Sequence, residues 1–232
     1  MWRVLLICLC VLGACTTGYN TGGVTQVPGQ LGEDPERAEQ LFFQVVRDMQ
    51  PVAQSECRKK RRDNFCEFVI LVDVDPRSPP NAYQTLSDDG QPMLTMTASM
   101  IASFQTADEM AFVMAHEVAH HILRHLEQQQ DTVAASAELY ARLAAQQGGS
   151  PRDIRRAQQL GAQVGAQAYS QDYEFEADRL GTVMTARAGY DPVLGSKYFL
   201  RLPEPDDTYL ATHPPNEERR QMVAKTAAEL GL

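Results

Sequence analysis

No stretch of this sequence approaches the roughly 18 or more consecutive apolar residues that a membrane-spanning helix needs, which excludes a polytopic membrane protein. Positive charge is also in short supply. Lysine and arginine number 21 against 30 aspartates and glutamates, giving a net charge of −9 and a pI near 5.0. A nucleic-acid binder ordinarily carries a basic footprint, so no nucleic acid is expected as partner. Long internal repeats of the kind that build solenoids are missing as well. What remains is 44% hydrophobic and 22% charged, the balance of a folded chain and not a disordered one. Its 232 residues give room for one domain of ordinary size or two small ones.

The one apolar run that does occur is short and sits at the start. Arg3 precedes Val4 to Leu12, and Gly13, Ala14 and Cys15 follow. A positive residue, a short apolar core and small residues at its end form the pattern of a secretory signal over residues 1–14. Leu12-Gly13-Ala14-Cys15 resembles the bacterial lipobox, in which the cysteine is acylated and becomes the mature N-terminus. Cleavage by the ordinary signal peptidase is the alternative. Thr16 follows Cys15, whereas an aspartate there would resemble the inner-membrane retention signal. The expected address is therefore the periplasm, with a lipid anchor in the outer membrane. Cleavage removes Cys8 and Cys10, and with Cys15 lipidated only Cys57 and Cys66 are left. An even pair in an oxidising compartment suggests a disulfide, the other reading being two free thiols.

Residues 15–34 hold Gly18, Gly22, Gly23, Gly29, Gly32 and Pro28 with almost no apolar periodicity, the composition of a flexible tether. From Pro35 the spacing of Ala38, Leu41, Phe42, Val45, Val46 and Met49 predicts a helix to about Gln50. Arg58 to Arg62 form the only basic block, read as a solvated loop or as a contact to anionic headgroups. Phe65 to Val74 is dense in β-branched residues and reads as a strand. Asn81 to Leu86 and Pro92 to Thr97, around Asp88-Asp89-Gly90, read as a hairpin. After Ala98 everything looks helical. Thr106 to Glu109 is a capping box opening a helix to about Gln130. Ser150-Pro151 and Asp191-Pro192 start further helices, and Asn216 caps the last. Gly161 and Gly165 lie in an Ala/Gln-rich stretch over residues 128–169. The interspersed Gln and Arg make this a soluble helix with close packing and not a membrane dimerisation face.

His116-Glu117-Val118-Ala119-His120 carries the chemistry. Two histidines one helical turn apart share a face, with both imidazoles aimed at one point. That is the geometry of two of the three protein ligands of a catalytic zinc, with Glu117 placed to take a proton from water. Met110 to Ala115 make the preceding turns apolar on all sides, which predicts a buried helix. Buried imidazoles and a carboxylate need partners, and a metal satisfies all three. His121 and His125 are rotated off the ligand face by about 100° or more and read as structural or surface residues. For the third ligand, Glu174 and Asp178 share a helical face while Glu176 points nearly opposite. Taken alone, the pair reads either as a solvated acidic face or as one metal-binding carboxylate with the other orienting a ligand histidine.

These residues resemble the gluzincin zinc metallopeptidases that include HtpX, the CAAX prenyl endopeptidases and periplasmic lipoprotein proteases. The matching positions are His116-Glu117-x-x-His120, Glu174-x-x-Ala177-Asp178-x-x-Gly181, and Thr212-His213-Pro214-Pro215 with Arg219. Asn81-Ala82-Tyr83 resembles the segment before the family's active-site hairpin. The resemblance spans about residues 35–225. It implies Glu174 as third ligand of one Zn²⁺ per chain, Glu117 as catalytic base, Asp178 behind a ligand histidine, and Arg219 supporting that region. His213 corresponds to a histidine near the metal, either stabilising the oxyanion or blocking the fourth zinc position in a latent state. The implied fold is α+β: a mainly helical, zincin-like metalloprotease domain over residues 35–232, with a small antiparallel sheet beside the active-site helix. No tetratricopeptide pattern follows the His213 segment, so the docking that larger periplasmic relatives achieve through such a domain is not expected here. The expected activity is endopeptidase cleavage of unfolded or misassembled envelope polypeptides. The competing class is a non-catalytic chaperone or assembly factor that keeps the zinc.

Overall fold

A computed structural model describes residues 35–61, 65–167, 170–204 and 214–232. The signal-like segment, Cys15, the tether up to residue 34 and His213 lie outside the described residues. The architecture is mainly helical with one small sheet, an α+β domain.

Helix α1 spans Pro35–Lys60, a full ten residues beyond the expected end near Gln50. Pro51 lies inside it, and an interior proline costs on the order of 3 kcal/mol. The helix continues because its buried stripe does: Ala38, Phe42, Val45, Met49, Ala53 and Cys57 are all nearly inaccessible. Cys57 is bonded to Cys66, with Cα atoms 5.6 Å apart. The described part of the basic block, expected as a loop, is therefore mostly helical. Arg58, Lys59 and Lys60 form the last turn of α1, where positive charge complements the helix dipole. Arg61 turns inward and donates to the His121 carbonyl at 2.8 Å.

Three strands form the sheet: β1 (Val69–Asp73), β2 (Ala82–Leu86) and β3 (Pro92–Thr97). The expected antiparallel sheet is in fact mixed. Its order is β1-β3-β2, with β3 antiparallel to β2 and parallel to β1. The turn after β1, held by Asp73 and Asp75, sends the chain across so that β3 takes the centre. Leu94 and Met96 of β3 are almost fully buried, which is what a central strand requires. Thr97 then caps the short α2 (Ala98–Ser103), its hydroxyl accepting from the Met100 N–H at 3.1 Å.

Helix α3 (Ala107–Ile122) runs through the middle of the core. Met110, Ala111, Phe112, Met114, Ala115 and Ala119 are each at most 1% exposed. The predicted helix to Gln130 is interrupted: Arg124 adopts φ 63° and ψ 34°, and a second helix, α4 (His125–Gln146), leaves in a new direction. The helices α5 (Pro151–Gln167) and α6 (Ser170–Arg187) follow. Then come a single turn α7 (Pro192–Gly195), a 3₁₀ stretch Ser196–Arg201, and α8 (Asn216–Glu229). α4 and α5 form a hairpin that packs chiefly on itself, while α6 packs on α3 and α8 packs on α6 and the 3₁₀ stretch. Among the described residues, no helix is long and apolar enough to cross a membrane.

Candidate metal centre

α3 begins where its sequence says it should. The Thr106 hydroxyl accepts from the Glu109 N–H at 3.2 Å, and the Glu109 carboxylate accepts from the Gln105 N–H at 2.8 Å. About three turns later, toward the far end of this buried helix, stand His116 and His120. Their Nε2 atoms are 3.0 Å apart and their ring planes are nearly perpendicular. α6 supplies Glu174, with Oε2 3.4 Å from His116 Nε2 and Oε1 3.5 Å from His120 Nε2. The three donor atoms lie within 4.8 Å of one another. α6 can come this close because residue 181 is a glycine. A Cβ there would lie 3.2 Å from the His116 backbone nitrogen.

Behind His116 is a fully buried ion pair. Asp178 is 0% exposed and accepts from Arg219 Nε and Nη2, both at 2.8 Å. Its Oδ1 also sits 3.0 Å from His116 Nδ1. Arg219 comes from α8, stacks over the Phe199 ring at 4.1 Å, and reaches Glu174 Oε2 at 3.2 Å. Burial and the Arg219 guanidinium both disfavour a charged His116. Hydrogen bonds to Asp178 and Glu174 outweigh them and raise its pKa from 6.5 to about 10. His120 moves the other way, lowered by burial and then by the neighbouring His116. The His-His-Glu donor set, with its atoms converging within 4.8 Å, is that of a catalytic zinc.

His120 has its own support, from a residue that the helical wheel places elsewhere. The break at Arg124 brings His125 back behind His120, with the two Nδ1 atoms 2.9 Å apart. His125 is 3% exposed, so of the two expected readings the surface one does not hold. It stacks on Tyr173 at 4.5 Å, and its Nε2 lies 3.2 Å from Glu176 Oε2. Burial lowers its pKa, against the pull of Glu176. Glu176, expected to point nearly opposite Glu174, thus reaches His125, the residue that backs His120. Nothing in the sequence signals either contact, because both depend on the left-handed residue at 124. His121, by contrast, is structural: it is 1% exposed, with Nε2 2.9 Å from the Phe65 carbonyl oxygen and its ring edge-on to Phe68.

The cleft in front of these groups has a volume of about 500 Å³. Glu117, half-buried, lines it beside the histidines, and Asn81 to Gln84 form one wall along β2. His125, Leu126 and Gln129, from the first turns of α4, also line it.

The model of peptidase family M48 matches residues 42–227, most of the chain. The chain belongs to peptidase family M48. Members of this family are zinc metalloproteases, and the His116–His120–Glu174 group is a possible site for that ion. A comparison with curated proteins finds no match. The structure brings His116, His120, Glu174, Asp178 and Arg219 of this M48 chain to one place with Glu117 at its edge. His213 is not among the residues whose position is described.

Proposed function

We propose that this protein is a zinc-dependent endopeptidase of the bacterial cell envelope, acting on unfolded or misassembled envelope polypeptides. The observation that carries the reading is the His116–His120–Glu174 cluster opening, beside Glu117, into a cleft walled by β2. One zinc per chain would be held by His116 Nε2, His120 Nε2 and the Glu174 carboxylate. Bound there, it supplies Lewis acidity, polarising a scissile carbonyl and lowering the pKa of water toward ~7.

The remaining work falls to the chain itself. Glu117 takes the proton of the attacking water and returns it to the leaving amine. Asp178, clamped by Arg219, holds His116 in one orientation. Among the described residues β2 pairs with β3 on one side only, so an extended substrate can add to its other edge and lie along the cleft. His213 belongs to the reading in one of two roles, oxyanion stabiliser or fourth ligand in a latent state. The envelope address rests on the pattern from Arg3 to Cys15, with outer-membrane anchoring through lipid on Cys15.

Metal content of the purified protein, together with casein cleavage before and after Glu117→Gln, tests the proposal. One zinc per chain and cleavage reduced by at least ~100-fold in the variant is the expected outcome. Zinc without cleavage in either protein would favour the chaperone class or latency, and His213→Ala separates those two by releasing activity only from a latent enzyme. Absence of zinc would overturn the reading.

A further inference from the structure

We propose that His125 and Glu176 are positioning residues that fix the tautomer of His120 through a directed chain of hydrogen bonds running from the metal site to the surface. The inference rests on the zinc-site reading above and extends it to residues with no ligand role. His120 Nε2 faces His116 and Glu174, so its lone pair is the one available to an ion. A neutral imidazole has a single N–H. The proton of His120 therefore sits on Nδ1, which lies 2.9 Å from His125 Nδ1. His125 Nδ1 must accept, which places the His125 proton on Nε2. That nitrogen is 3.2 Å from Glu176 Oε2, a carboxylate oxygen able to accept it.

Each bond in the chain thus determines the direction of the next, and only one assignment satisfies all of them. The two ligand histidines are supported by different devices. His116 meets a buried carboxylate directly, whereas His120 reaches its carboxylate through a second imidazole. Stacking of His125 on Tyr173, with ring planes 16° apart, holds the relay ring in the plane that the two hydrogen bonds need. Glu176 is 60% exposed at its side chain, so the far end of the chain is wet while the inner end is dry. A carboxylate at the end of such a chain makes the ligand nitrogen a better donor to the metal.

Long-range proton–nitrogen correlation on protein labelled with ¹⁵N-histidine and loaded with zinc reads the tautomers directly. The expected spectrum shows His120 protonated on Nδ1 and His125 on Nε2, both neutral. A His125 protonated on Nδ1, or on both nitrogens, overturns the proposal without any variant being needed. Zinc affinity, measured by competition with a chelator, supplies the second test. His125→Leu should weaken binding about 10- to 100-fold. His125→Asn should recover part of that loss, because its amide oxygen can accept from His120 Nδ1–H. Glu176→Gln should fall between Asn and wild type. If wild type binds zinc and His125→Leu binds it equally well, the relay is wrong and the metal site stands. If wild type binds no zinc, the metal-site reading itself fails.

Discussion

Asp178 is the residue on which most of the buried charge depends. It has no exposure, and it neutralises an Arg219 that is itself 5% exposed. Removing one member of such a pair leaves its partner charged in a poor solvent, which costs more than the pair contributes. Asp178→Ala should therefore lower stability by on the order of 3 kcal/mol in urea unfolding and weaken zinc binding at the same time. Arg219→Lys should not be a mild change, because a single ammonium cannot reproduce the two-pronged contact to Asp178. Away from the site, Glu56 ties α1 to α6 by pairing with Lys59 at 2.6 Å and with Arg187. Burial opposes its ionisation, but these two cations prevail and hold its pKa below the usual 4.5. Its contribution to stability is thus present above that value and is lost as the pH falls through the lowered one. Glu56→Gln should flatten the acid limb of the stability profile and leave the slope above pH 6 unchanged, as read by thermal unfolding across pH.

At the scale of elements, the helices follow local rules and their joints do not. The capping box at Thr106 and the proline starts at Pro151 and Pro192 were legible because capping involves neighbours in sequence. α1 runs on past the last large apolar residue of its stripe, Met49, because Ala53 and Cys57 are small residues that only their burial reveals as core. The break at Arg124 carries no glycine or proline, so no periodicity could locate it. In the hairpin of α4 and α5, Gly161 lets the helices touch. A Cβ at that position would lie 2.5 Å from the Ser136 carbonyl oxygen and 2.8 Å from Tyr140 Cβ. Gly161→Val should force the two helices apart and melt α5, while the first turn of α4, with His125 stacked on Tyr173, stays in place and the zinc cluster with it. Loss of helical circular dichroism with unchanged zinc affinity is the expected pattern.

For the whole molecule, the packing is uneven in a way that bears on motion. α3 is surrounded by α1, the sheet, α6 and the segments before α8, whereas α5 rests chiefly on α4. Leu139, Leu143, Leu160 and Val164 on the hairpin are all at least 40% exposed. Segments with few buried contacts open without global unfolding. Amides of α5 should exchange with deuterium well before those of Met110 to Ala119, and the α3 amides should exchange only with the global transition. The Cys57–Cys66 bridge lies beside His121, at the base of the ligand helix, and closes a loop of about ten residues worth roughly 2–3 kcal/mol by chain entropy.

What the sequence by itself determined was local or periodic. It placed His116 and His120 on one face because a helix repeats every 3.6 residues, and it marked α3 as buried because that helix is apolar all round. It also showed Glu174 and Asp178 sharing a face, though only resemblance to a family chose between their roles. The tertiary structure alone decided how separate segments meet. It set β3 at the centre of a mixed sheet, turned Arg61 inward, and folded His125 and Glu176 behind His120. The physical reason is the same in each case. Periodicity describes a straight element, while these contacts arise where an element bends or ends, and there the free energy of burying distant residues outweighs local propensity.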